Sequence, residues 1–298
     1  MVFQELVNPT LHPFMDTATS YDSAEFVLFG VPLDSTTTHR SGSRFAPNAI
    51  RQESQYLESY SLRTALDWGD VSVADIGDIY RLEDVEESLK AVESIIGLIK
   101  NDGKTPLMMG GEHTVTLGSV RALKPELIID FDAHLDLRDE LFNLRVSHGT
   151  FMRRAFEELD KKVIYVGVRA YSKEEIDFIK AHPENFILIH PRELQDNRDA
   201  VFDDLKREVA DVSSVYISVD MDVLDPAYAP AVGNPSPNGI SIGLLSGLLE
   251  SVLEANTLGV DIAEITPYYD SGATAIVGAY ILLQMIYELK YARLKPKR

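Results

Sequence analysis

The sequence predicts a three-layer αβα fold around a mainly parallel sheet of about eight strands. Three observations lead to it. Short apolar runs rich in β-formers recur along the chain. Most are continuous rather than alternating, the pattern of strands covered on both faces. Stretches with helical spacing separate most of them.

The first run, Phe26-Val27-Leu28-Phe29-Gly30-Val31, is expected as a strand over 26–31. A helix is expected over 47–58, where Pro47 suits the first turn because its missing N–H is not needed there. The expected strands then fall at 71–75, 105–109, 126–132, 162–168, 186–189, 214–220 and 258–264. Helices are expected at 84–101, 114–123, 149–160, 173–181, 198–210, 241–255 and 273–292. No repeat, low-complexity block or linker divides the chain, so one domain over residues 1–298 is expected. Ala273 to Leu289 is mostly apolar, but Gln284 and Glu288 interrupt it, which favours a buried core helix over a membrane span. The basic tail Lys295-Pro296-Lys297-Arg298 complements the negative end of that helix.

With 47 acidic and 28 basic residues the formal charge is −19. That field repels nucleic acid and anionic membranes, so neither is an expected partner. It draws in divalent metals and cationic small molecules. The absence of cysteine excludes disulfides, thiolate metal sites and cysteine nucleophiles. It fits a reducing cytoplasm, and Met1-Val2-Phe3-Gln4-Glu5 lacks the basic flank and apolar core of a signal peptide.

Ligands of such sheets bind beyond the carboxyl ends of the strands. Four runs end there in polar clusters. Residues 105–109 lead into Gly110-Gly111-Glu112-His113, and 126–132 into Asp130-Phe131-Asp132-Ala133-His134-Leu135-Asp136. Residues 214–220 lead into Asp220-Met221-Asp222, and 258–264 end at Glu264. Asp132, His134 and Asp136 lie two residues apart, so on an extended backbone their side chains leave one face. Carboxylates crowded in this way repel unless a cation joins them. His113, His134, Asp132, Asp136, Asp220 and Asp222 are too many ligands for one ordinary zinc site and suit two metals sharing carboxylates. The oxygen-rich donor set favours two Mn²⁺, with Co²⁺, Fe²⁺ or Zn²⁺ as substitutes. Such a pair activates water for hydrolysis.

Blander readings weigh on single residues. His113 after two glycines also reads as a helix start, and Asp225 before Pro226 as a turn former. Glu112 reads as a supporting or structural group, Asp130 as a supporting or simply solvated one, and His12, His39, His182 and His190 as structural or exposed. Arg40 and Arg44 could bind anions, but in a chain this acidic they read rather as partners in buried salt bridges under the sheet or at a subunit contact.

In this order the motifs resemble those of the ureohydrolase family, which contains the arginases and agmatinases. The matching pieces are Gly110-Gly111-Glu112-His113, Asp132-Ala133-His134-Leu135-Asp136, Ser147-His148-Gly149, Ser218 to Pro226 and Asp261-Ile262-Ala263-Glu264. Gly30 to Asp34 and Arg44 to Arg51 extend the likeness. Glu112 departs from it, since many members carry aspartate there.

The resemblance implies an arginase-like fold. It implies one Mn²⁺ on His113, Asp132, Asp136 and Asp220, and the other on His134, Asp132, Asp220 and Asp222. Glu264 would bind the guanidinium through paired hydrogen bonds. Asp136 would relay a proton to the leaving amine, and His148, titrating near neutrality, would exchange protons with solvent. The loop from Leu137 to Ser147 resembles the family's substrate-tail contact; Asp139, Glu140 and Asn143 would meet the ammonium of agmatine, giving urea and putrescine. Arg138 and Arg145 in the same loop suit a carboxylate, which keeps arginine and other guanidino acids open. A non-catalytic member, with metals fixing the fold, is a third reading, and the anchor and proton shuttle argue against it. Hydrolysis of acetylated amines or phosphate esters fits the paired Asp-x-Asp set and acidic surroundings less well. A homotrimer or homohexamer is the assembly the resemblance implies.

Overall fold

The computed structural model describes residues 5–80, 84–254 and 256–295. Its strands are β1 (Val7–Asn8), β2 (Phe26–Gly30), β3 (Tyr60–Ser61), β4 (Leu66–Asp67), β5 (Val73–Ile79), β6 (Thr105–Met109), β7 (Leu127–Phe131), β8 (Lys162–Val166), β9 (Phe186–Ile189), β10 (Val215–Asp220) and β11 (Thr257–Ala263). The helices are α1 (Ala46–Ser54), α2 (Val85–Asn101), α3 (Thr116–Leu123), α4 (Phe151–Leu159), α5 (Lys173–Ala181), α6 (Pro191–Asp196), α7 (Arg198–Ala210), α8 (Ile242–Val252) and α9 (Ala273–Leu294).

Nine strands form one sheet in the order β1-β5-β2-β6-β11-β10-β7-β8-β9. The pairings are parallel except that of β1 with β5. All eight expected strands are present. The ninth, β1, is a two-residue antiparallel edge, too short to carry a periodicity. Strand residues alternate between two cores: Phe26 and Leu28 face one with α1, α7, α8 and α9, while Val27 and Phe29 face the other with α2, α3 and α4. Both faces are therefore buried, which is why the strands read as continuous apolar runs.

Several boundaries move for local reasons. β5 runs on through Asp75 and Asp78, whose charges Arg51 of α1 meets at 2.7 and 2.5 Å. That buried pair under the sheet was expected of Arg40 or Arg44. Instead Arg44, its guanidinium partly exposed, pairs with the buried carboxylate of Asp34 at 2.9 Å, and Arg40 donates to the Pro230 carbonyl. A 3₁₀ turn, His113–Val115, precedes α3, and α4 starts late because Thr150 closes a turn onto Ser147. The short α6 was not expected. Ser241 caps α8 by accepting from Leu244 N–H, and α8 ends at Val252; Ala255, the last residue of the expected helix, lies outside the described residues. So do Met1 to Gln4 of the N-terminal stretch and Pro296, Lys297 and Arg298 of the basic tail. α9 is long and apolar enough to cross a membrane, yet 67% of its most apolar window is buried inside the protein.

The strands that end in polar clusters, β6, β11, β10 and β7, are consecutive in the sheet. Four chain segments distant in sequence thus deliver their side chains to one stretch of the carboxyl edge. Gly111 permits the close approach this needs: a Cβ there would lie 1.9 Å from the Leu33 carbonyl oxygen.

Candidate metal and catalytic site

The two Asp-x-His/Asp motifs are built alike, and not as extended strand. Asp132 Oδ1 accepts the N–H of His134 at 2.6 Å, and Asp220 Oδ1 accepts the N–H of Asp222 at 2.8 Å. Each aspartate folds its own following turn with one oxygen and presents the other. Asp136 completes its turn with φ of 50°, the left-handed region that a non-glycine residue occupies only under constraint.

The presented oxygens surround His113. Its Nδ1 lies 3.0 Å from Asp132 Oδ2, 3.3 Å from Asp220 Oδ2 and 3.5 Å from Asp136 Oδ2. On the other side of Asp132, His134 Nδ1 lies 3.1 Å from Asp222 Oδ2 and 3.4 Å from Asp132 Oδ1. Two groups with metal-ligating geometry result, His113/Asp132/Asp136 and Asp132/His134/Asp222, with Asp132 common to both.

The donor set fits cations. His113 Nδ1 and Asp132 Oδ2 are buried without a hydrogen-bond partner, although they face each other. Burial opposes charge throughout the cluster: it pushes Asp220 and Asp130 well above the usual carboxylate range and Asp136 up to about 7, helped by Asp132. Burial also opposes ionisation of Asp132, but the His113 and His134 imidazoles outweigh it and hold that carboxyl below its usual range. Burial likewise opposes protonation of the two imidazoles, and the surrounding carboxylates outweigh it and raise both. A divalent ion among these groups would relieve the crowding of the carboxylates and take the place of the imidazole protons.

A further chain orients His113. Ser218 Oγ donates to Asp261 Oδ1 at 2.6 Å, so it accepts from His113 Nε2–H at 2.9 Å, leaving Nδ1 for the carboxylates. Thr116 and Tyr216 hold the other oxygen of Asp261 at 2.8 and 2.5 Å. Ser218 and Asp261 lie inside motifs the sequence displays, and Ser218 shares a strand face with Asp220, so the spacing carries the signal. Asp130 lies at the base of this network, fully buried, 3.6 Å from His113 Nε2.

Glu264 follows β11 with φ of 65°. Its Oε1 accepts the His113 backbone N–H at 2.8 Å, and Oε2 lies against Gly233, where a Cβ would come within 2.4 Å. Burial pushes its carboxyl up to about 8 against the pull of that N–H. His148 lies between two threonines that sequence reading missed: Thr36 Oγ1 is 3.2 Å from Nδ1 and Thr38 Oγ1 is 3.1 Å from Nε2. Burial, then the charge on His134, pushes the ring down to about 4, so the expected titration near neutrality is not found. Glu112 fixes Thr36, accepting its N–H and hydroxyl at 2.7 Å each, together with the Thr114 hydroxyl at 2.7 Å. Its structural reading holds. Asp225 is likewise a turn former, accepting from Ala227 and Gly239 N–H groups.

The cavity over these groups has a volume of about 220 Å³. His113, His134, Asp136, His148, Asp220, Asp222 and Glu264 line it, with Thr38, Asn234, Gly149, Leu141 and Arg138 completing the wall. The expected tail contacts do not. Asp139 is exposed and bound to Arg154 at 2.9 Å, while Glu140 and Asn143 are exposed. A tight turn in which Phe142 and Asn143 both have positive φ carries Asn143 away at the tip, and the N–H of Asp139 is held by Glu174. Arg138 takes their place at the cavity wall, 3.9 Å from Glu175. Arg145 is 65% exposed and lies 3.8 Å from Glu157.

Comparison with known proteins agrees with this geometry. The model of the arginase family matches residues 24–287. The chain is 36% identical over 269 residues to the N(1)-aminopropylagmatine ureohydrolase of Thermococcus kodakarensis, covering 89% of this chain and 91% of that protein. It is 32% identical over 285 residues to the guanidinobutyrase of Pseudomonas aeruginosa, covering 92% and 89%. The crystal structure of the agmatine ureohydrolase of Thermoplasma volcanium superposes with a TM-score of 0.88 at 36% identity over 95% of each chain. With its fold, its strand-end carboxylates and most of its length accounted for in this way, the chain belongs to the arginase family and is a ureohydrolase, a hydrolase of guanidino groups.

Proposed function

We propose that the protein hydrolyses agmatine to urea and putrescine at the cavity over the paired ligand clusters. The observation that carries this reading is Glu264, a carboxylate buried at a strand end beside His113 and lining the same cavity as both clusters. A guanidinium is a resonance-stabilised, planar cation, and a carboxylate that accepts two of its N–H groups both neutralises and orients it.

In this reading His113, Asp132, Asp136 and Asp220 hold one ion and His134, Asp132, Asp220 and Asp222 the other. Mn²⁺ is the proposed metal on the strength of the oxygen-rich donors, with Co²⁺, Fe²⁺ or Zn²⁺ as substitutes. When bound, such a pair supplies Lewis acidity and lowers the pKa of water. Glu264 fixes the guanidinium carbon over the carboxylates. Asp136 passes a proton to the departing amine nitrogen. His148 serves as a neutral ring between Thr36 and Thr38, handing protons outward without holding the charge. The cavity's four carboxylates favour a cationic substrate, and the likeness to agmatine and aminopropylagmatine ureohydrolases supports an amine tail.

A second reading, a guanidino acid such as 4-guanidinobutyrate, is favoured by Arg138 at the cavity wall and by the likeness to a guanidinobutyrase. Urea release from agmatine, arginine and 4-guanidinobutyrate, measured with Mn²⁺ and with a chelator, separates the two. Metal-dependent release from agmatine alone supports the first; release mainly from the acid moves Arg138 into the binding site. No release from any of them overturns both. We also read the chain as one domain, assembled as a homotrimer or homohexamer and located in the cytoplasm, on the strength of the resemblance and the cysteine-free composition.

A further inference from the structure

Arg169, just beyond β8, donates to six main-chain carbonyls on three segments. Nε reaches Pro237 O at 3.0 Å; Nη1 reaches Gly167 O at 2.9 Å and Val223 O at 3.2 Å. Nη2 reaches Asp222 O at 2.7 Å, Ser236 O at 2.8 Å and Leu224 O at 3.3 Å. Its own N–H donates to Ala133 O at 2.9 Å, between Asp132 and His134. Ala133 N–H in turn donates to Asp222 Oδ1 at 3.2 Å.

One residue therefore grips the His134 segment with its backbone and the Asp222 turn with its side chain. The His113 group has a separate support, the Ser218–Asp261 chain, which Arg169 does not touch. We propose that Arg169 is a positioning residue that sets the separation of His134 from Asp222, and hence the affinity of that one metal position and not of the other. The inference rests on the two-metal reading of the site. A planar fork of five N–H groups can span acceptors on three segments; an ammonium at the end of a flexible stem presents its donors at one point.

The test is titration of chelator-stripped protein with Mn²⁺ by calorimetry, comparing wild type, Arg169→Lys and Arg51→Lys. The last disturbs a buried pair under the sheet, away from the site, and reports a general loss of stability. Wild type is expected to take up two Mn²⁺ per chain. Arg169→Lys is expected to keep one at wild-type affinity and to bind the other about 10–100-fold more weakly, the usual cost of losing a group that orients a ligand. Arg51→Lys is expected to lower the melting temperature with both affinities unchanged. Equal weakening at both positions in Arg169→Lys, or none, overturns the proposal. Fewer than two Mn²⁺ in wild type overturns the two-metal reading, and the proposal with it.

If Arg169→Lys does not fold, hydrogen exchange on wild type decides. The amides of Asp225 and Ile240, bonded to Ile240 O and Val223 O, are expected to be protected before Mn²⁺ is added. Protection that appears only after Mn²⁺ overturns the proposal.

Discussion

The backbone N–H of His113 donates to Oε1 of Glu264 at 2.8 Å, joining the end of β6 to the end of β11. The group assigned to the substrate is thus fastened to a residue assigned to the metal. Glutamine at 264 keeps an acceptor for that N–H and removes the charge. Glu264→Gln is expected to retain Mn²⁺ and to lose about a hundredfold in kcat/KM, the cost of one or two charge-assisted hydrogen bonds. Full activity in this variant would remove the anchoring role.

Asp132 belongs to both ligand groups, so Asp132→Asn is expected to abolish tight binding of both ions together with activity. Asp261→Asn acts at one remove, by loosening Ser218 and with it His113. About 10–100-fold weaker binding at the His113 position is expected, with the other position intact. Metal titration of the two variants, side by side, reads the contrast.

The carboxylate of Asp139 is engaged by Arg154, not by the cavity. Asp139→Asn is therefore expected to change KM for agmatine by less than about twofold and to lower stability only slightly, as the loss of a largely exposed ion pair does. Steady-state kinetics and urea unfolding check it; a tenfold rise in KM would restore the contact with the ammonium.

Away from the site, Glu288 on α9 pairs with Arg63 at 2.8 Å. Burial pushes its carboxyl from the ordinary 4.5 up to about 7; Arg63 pulls it down and Glu250 pushes it up. An acid with a raised folded-state pKa binds protons more tightly when folded. Its ionisation therefore costs stability progressively as pH rises from about 4.5 to about 7, and no more above that. Glu288→Gln is expected to gain stability relative to wild type over that interval. Urea unfolding of both proteins at pH 4.5, 6 and 8 should show the difference growing and then levelling; a constant difference would mean an unshifted carboxyl.

Strand identity was legible because both faces of the sheet are buried, so most strands are continuous apolar runs, four of which stop where a polar cluster begins. The candidate metal ligands were legible because nothing in packing explains Asp132, His134 and Asp136 at a strand end. What escaped was set by long-range contact. Ser218 becomes an orienting group only because β11 brings Asp261 beside it. Thr36 and Thr38 matter only once Glu112 has drawn their loop over His148. Asp139, Glu140 and Asn143 lie away from the cavity, which charge type alone could not foretell, because it does not say which way a loop turns; the left-handed Phe142-Asn143 turn sets it.

The sheet order carries a consequence for how the chain is made. β11, the last of the described strands in chain order, inserts between β6 and β10. Until residue 263 has emerged, those two strands each have an open edge in the middle of the molecule, a template for pairing with the wrong chain. Glu264 and the bond it accepts from His113 arrive only with that closing strand. Asp132, His134 and Asp222 follow the directly paired β7 and β10 and can gather without it, but His113 at the end of β6 joins them only when this insertion seals the sheet and completes the site.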